Sequence, residues 1–139
     1  MRKAEILLIE DNPGDVILTK KAFESSEIED NITVAENGEE ALKMLQAEKY
    51  QPDLILLDLN LPKIDGYEVL NSLKNDSKLK QIPVIIMTSS EEHSDIAKSY
   101  DNHANCYIVK PVDSEQLSLI AEKIENFWFT TAKLPNLHS

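Results

Sequence analysis

A single cysteine, Cys106, leaves the chain no partner for an intramolecular disulfide, and no long apolar run is free of charge. A reducing cytoplasm is therefore the expected compartment, and neither a signal peptide nor a membrane span is expected. Positive charge is also scarce: 14 Lys and Arg stand against 25 Asp and Glu, for a formal net charge of −11. Such a surface repels nucleic-acid phosphates unless a basic patch intervenes, and the sequence displays none, so a protein or small-ion partner is expected instead of DNA or RNA. With only three glycines there is no Gly/Ser linker, and no repeat or low-complexity tract divides the chain. The three histidines, His93, His103 and His138, lack metal-ligand spacing, which argues against a histidine-built metal centre. The lone thiol of Cys106 begins a strand-like run, where a buried cysteine is commonplace.

What remains is one domain's worth of chain, 139 residues with 42% apolar content, enough to fill a single core. Strand-like apolar runs recur at Ile6–Ile9, Ile32–Val34, Leu54–Leu57, Val84–Met87 and Tyr107–Val109. Three of them show no polar alternation, as expected of strands covered on both faces. Helical spacing fills the intervals at Val16–Phe23, Glu39–Glu48, Tyr67–Leu73 and Ile96–Tyr100, then along Leu117, Ile120, Ala121, Ile124 and Trp128. Asn37-Gly38, Asp65-Gly66 and Gln51-Pro52-Asp53 read as turns, and Asp113 or Ser114 can cap the last helix. Glu27 to Asp30 reads as a solvated acidic loop. Five alternating β/α units predict an α/β fold, a parallel sheet with helices on both faces and its binding site beyond the carboxyl ends of the strands.

The residues that close those strands are chemically related. Glu10-Asp11 follow the first, Asp58 the third, Thr88-Ser89 the fourth and Lys110-Pro111 the fifth. Carboxylates drawn to one rim repel one another and invite a divalent cation; Mg²⁺ suits oxygen ligands, waters and a phosphate. Asp11 and Asp58 are the expected direct ligands, with Glu10 binding directly or through water and the backbone carbonyl of Asn60 completing the protein's share. Phosphoryl transfer needs a positioned nucleophile surrounded by positive charge. Asp58 can attack, Mg²⁺ and the Lys110 ammonium can neutralise the developing charge, and Thr88 can donate to a phosphoryl oxygen.

Glu10-Asp11, the run Asp58-Leu59-Asn60-Leu61-Pro62, Asp65-Gly66, Thr88, Tyr107 and Lys110-Pro111 resemble, in order and spacing, the receiver domains of two-component response regulators. The resemblance covers Glu5 to Phe127. It implies a flavodoxin-like, doubly wound (βα)5 sheet of order 2-1-3-4-5, phosphorylation of Asp58, and a switch through Thr88 and Tyr107 in which the tyrosine ring turns inward. Lys110-Pro111 further resembles the family's cis bond, an isomer the residues alone leave open because most X-Pro bonds are trans, and the resemblance implies a path for attacking water flanked by Asn60 and Ser90. Val112, where many receivers have Phe, and His103, where many have Gly, depart from the pattern; Asn102, His103 and Asn105 are residue types that still tolerate the turn.

His103-Ala104-Asn105-Cys106-Tyr107, Lys110-Pro111-Val112-Asp113 and Phe127-Trp128 look like the small response regulators that partner bacterial phytochromes. That narrower likeness implies a light-regulated sensor histidine kinase as phosphodonor and a homodimer through the fourth helix, fifth strand and fifth helix. Residues 1–127 are then the receiver and 128–139 an apolar tail without an output domain. Phe127, Trp128, Phe129, Leu134 and Leu137 are too apolar for a solvated end and cover either their own domain or a second copy.

Three rival functions share parts of this pattern. Phosphatases of the haloacid-dehalogenase type carry a second Asp two residues after the nucleophile, where Asn60 stands here. A flavin module would place Ser, Thr or Gly after the first strand to cradle phosphate, where Glu10-Asp11 stand. A phosphorylation-independent scaffold would not need the acidic residues, Thr88 and Lys110 together.

Overall fold

A computed structural model of the chain describes residues 4–24, 30–47, 50–111 and 113–134. The strands are β1 (Ala4–Ile9), β2 (Asp30–Ala35), β3 (Leu54–Leu57), β4 (Val84–Thr88) and β5 (Cys106–Val109). The helices are α1 (Pro13–Glu24), α2 (Gly38–Gln46), α3 (Gly66–Lys74), α4 (His93–Asp101) and α5 (Ser114–Asn126). All strand pairs are parallel, in the order β2-β1-β3-β4-β5. This is the expected doubly wound, flavodoxin-like sheet.

Alternation along the strands divides the core. Leu7, Ile9, Ile55, Leu57 and Ile86 pack against Ala41 and Leu45 of α2 and Val69, Leu70 and Leu73 of α3. Their neighbours Ile6, Leu8, Leu54, Leu56, Ile85 and Met87 face the other way, onto Phe23 of α1 and Leu117, Ala121 and Ile124 of α5. Each fully buried Leu or Ile contributes about 1.5–3 kcal/mol. The runs without polar alternation belong to β1, β3 and β4, the strands flanked on both edges by others and buried nearly throughout.

Two of the expected turns are helix starts. The Asn37 side chain accepts the Glu40 amide at 2.8 Å and Asp65 accepts that of Glu68 at 3.0 Å, so each caps the helix that opens at the following glycine. Asp113 caps α5 through the Gln116 amide at 2.8 Å, as anticipated. His103 sits at φ 70°, which accords with the tolerance expected of this turn. Lys63 shares that conformation at φ 67°, between β3 and α3, where the sequence offered no warning.

Beyond α5, Phe127–Thr131 form a π-helical turn. Trp128 and Phe129 pack on the α1/α5 side of the core, while Phe127 is 52% exposed with its ring edge-to-face on Trp128. The apolar tail thus covers its own domain in part and leaves one aromatic face open. Val112, Leu137, His138 and residues 27–29 of the acidic loop lie outside the described residues.

Candidate functional site

The ladder of parallel strands assembles the rim. Ile9 of β1 pairs with Leu57 of β3, so the next residues, Glu10 and Asp58, emerge side by side, and the Asp58 amide donates to the Ile9 carbonyl at 3.1 Å. Thr88 pairs with Val109, and the Lys110 amide donates to the Thr88 carbonyl at 2.7 Å. Residues distant in the chain are neighbours because each ends a strand of one sheet.

Lys110 reaches back across the rim. Its ammonium donates to Asp58 Oδ2 at 2.6 Å, to Asp15 Oδ2 at 2.9 Å and to Glu10 Oε1. Glu10 and Asp58 are 3% and 7% exposed. Burial raises the Glu10 carboxyl to about 7 despite its contact with Lys110, the Asp58 charge acting in the same direction as burial. Burial opposes the charge of Lys110, but Asp58, Glu10 and Asp15 outweigh it and hold the ammonium above its usual range.

Asp15 did not follow from the strand ends. It lies in the first turn of α1, where the Asn12 side chain accepts the Asp15 amide at 3.0 Å and thereby aims the helix start at the rim. The spacing of a capping Asn and an acid three residues on was the available signal. One oxygen each from Glu10, Asp15 and Asp58 lies within 4.8 Å of the others, a hard, anionic donor set that fits a cation such as Mg²⁺ or Mn²⁺. Asp11, expected among the direct ligands, is exposed and stands outside this cluster of described residues. Asp15 enters the cluster from the first turn of α1, whose start the Asn12 side chain holds. Asn60 touches Asp58 through its amide, which donates to Oδ1 at 2.9 Å.

The Asp58 segment is pinned from behind. Gly66 donates its amide to the Leu59 carbonyl at 3.0 Å, and a Cβ there would stand 2.6 Å from both the Asp58 carbonyl oxygen and Leu59 Cα. Thr88 is wholly buried, and its hydroxyl has no hydrogen-bond partner among the described residues. Tyr107 packs in part against the α2/α3 side of the core and donates its hydroxyl to the Ser90 carbonyl at 2.9 Å. No peptide bond among the described residues is cis, contrary to the implied Lys110–Pro111 isomer; Lys110 meets the carboxylates with that bond trans.

Residues 6–122 match the family model described as the response regulator receiver domain. The chain belongs to that receiver family. This receiver is 40% identical to Response regulator Rcp1 of Synechocystis sp., over 94% of its own length and 92% of that protein's. It superposes on the crystal structure of the phosphorylated cyanobacterial phytochrome response regulator RcpA with a TM-score of 0.91, at 44% identity, covering 97% of this receiver and all of that chain. The Mn²⁺-bound form of Rcp1 gives 0.87 at 39% identity, covering 96% and 99% of the two chains. As a response-regulator receiver similar to these proteins, the chain is a phosphoacceptor switch whose acidic cluster is consistent with a divalent metal. No helix among the described residues is long and apolar enough to cross a membrane.

Proposed function

We propose that Asp58 accepts a phosphoryl group from a sensor histidine kinase of the phytochrome type, in a Mg²⁺-dependent reaction that shifts conformation through Thr88 and Tyr107. The observation that supports this most is the Lys110 ammonium set against Asp58 and Glu10 at the strand ends and Asp15 in the first turn of α1. Asp11, Asp58 and the Asn60 carbonyl would hold the ion, with Glu10 reaching it directly or through water and Asp15 at its edge. The ion supplies positive charge against the phosphoryl oxygens.

An Asp58 oxygen attacks the phosphorus of the donor's phosphohistidine in line. The O–P bond of an acyl phosphate forms as the P–N bond breaks, and its electron pair leaves with the imidazole. Lys110 neutralises charge on the phosphoryl oxygens, and the Thr88 hydroxyl gains a partner among them. Self-phosphorylation from small donors and self-dephosphorylation are slow, and external phosphoesters are not turned over, because Asn60 stands where the phosphatases carry their second Asp.

Reversing an equilibrium from about 1:99 to 99:1 takes roughly 5.5 kcal/mol. One charge-assisted hydrogen bond contributes about 1.5–3 kcal/mol. Modification alone therefore gives a partial shift, completed by a second copy or a partner. The face of α4, β5 and α5 with the tail from Trp128 is the proposed homodimer contact, where Tyr100, Leu119 and Phe127 are exposed. The receiver is residues 1–127 with 128–139 as its tail, it works in the cytoplasm, and its partners are proteins, not nucleic acid.

Incubation with Mg²⁺ and acetyl phosphate should add one phosphoryl group by intact mass, and Asp58→Asn should abolish the adduct. An undiminished adduct in Asp58→Asn would remove Asp58 from this role.

A further inference from the structure

Asp95, in the first turn of α4, uses both carboxylate oxygens on different parts of the fold. Oδ1 accepts the Tyr67 hydroxyl of α3 at 2.5 Å, and Oδ2 accepts the Ser90 hydroxyl, from the segment joining β4 to α4, at 2.6 Å. Ser90 and then Tyr67 hold the Asp95 carboxyl below the usual carboxylate range, so it accepts both bonds as an anion at neutral pH. The Tyr67 ring is held on its face as well, with the Lys98 ammonium 4.1 Å from its centre. The Ser99 hydroxyl donates to the Asp95 carbonyl at 2.8 Å and ties the same residue into its helix.

Ser90 is also gripped from β5, through the Tyr107 hydroxyl on its carbonyl. One arrangement of the segment after Thr88 therefore satisfies Asp95, Tyr67, Ser90 and Tyr107 together. Bonds that coexist in one arrangement raise its population jointly, and breaking one lowers the hold of the others.

We propose that Asp95, anchored by Tyr67, is a positioning residue that clamps the segment between β4 and α4 in the arrangement that keeps the Tyr107 ring inward. The clamp sets how readily Thr88 meets a phosphoryl group on Asp58. The last step rests on the reading of Asp58 as phosphoacceptor; the hold on Tyr107 does not.

The test uses the full chain with ring-¹³C-labelled tyrosines, four in number, assigned by single Tyr→Phe substitutions. Tyr67→Phe keeps the ring and its Lys98 contact but removes the donor, and Asp95→Asn removes the charge. Each should lower the inward-to-outward ratio of Tyr107 by about threefold to tenfold, the worth of a hydrogen bond of ordinary strength, read as broadening of its ring resonances by a soluble gadolinium chelate. The rate of phosphorylation by acetyl phosphate and Mg²⁺ should fall in the same variants. Unchanged Tyr107 broadening in both variants overturns the clamp. Tyr107 released in the variants, with no adduct on Asp58 even in the parent chain, supports the clamp and overturns the phosphoacceptor reading.

Discussion

Thr88 carries an unmet demand. Its side chain is completely buried at the end of β4, yet the hydroxyl finds no partner among the described residues. A buried hydroxyl without a hydrogen bond costs about 1–3 kcal/mol. A site built only for stability would place Val there. Thr88→Val, nearly the same shape, should raise the urea midpoint by a corresponding amount without altering the slope of the transition. The same substitution removes the donor proposed for the phosphoryl oxygen, so stability and switching should move in opposite directions. A midpoint lower than the parent's would show that the hydroxyl is satisfied after all and would end the idea that Thr88 waits for a ligand.

At the level of elements, the start of α3 holds the Asp58 loop in place by sheer proximity. The obstacles to a Cβ on Gly66 are backbone atoms, the Asp58 carbonyl oxygen and Leu59 Cα, and neither can swing aside as a flexible side chain would. Gly66→Ala should therefore push α3 or the Asp58 segment away, destabilising the fold by about 1–3 kcal/mol as overpacking does. Because the displaced backbone belongs to Asp58 itself, phosphorylation by acetyl phosphate should slow as well; a variant with parental stability and rate would contradict the contact. This role was only half legible. Asp65-Gly66 announced a break in the chain, but a polar residue before glycine serves a turn and a helix cap equally, and only the fold shows which. The strand-end residues Glu10, Asp58, Thr88 and Lys110 were legible because parallel strands deliver their last residues to one edge. Asp15 was not, since it reaches that edge from inside a helix, and neither was the meeting of Tyr67 with Asp95, which depends on how α3 and α4 lie side by side.

Across the whole molecule, acidic groups collect at both ends of the sheet, and at the carboxyl-terminal end the Lys110 ammonium is set against them. At the opposite edge Asp30 opens β2, its carboxylate oxygens buried beside the Glu125 carboxyl. Burial, and then the Glu125 carboxyl of α5 beside it, push Asp30 up to about 8. The sign of the consequence follows from proton counting. In the unfolded chain Asp30 releases its proton near its ordinary value of 3.8, whereas the folded protein keeps it until about 8. Between those values the folded state binds more protons than the unfolded one, so stability falls as pH rises and levels off above the folded value. Self-repulsion from a net charge of −11 also weakens the fold at high pH, so the parent's decline alone cannot be assigned to Asp30. Asp30→Asn separates the two effects, because it removes one titrating group and leaves the general repulsion nearly intact. Urea midpoints measured at about pH 5 and about pH 9 should differ less in Asp30→Asn than in the parent. Equal differences in the two proteins would mean that Asp30 is ionised in the fold, with its charge compensated at that edge of the sheet.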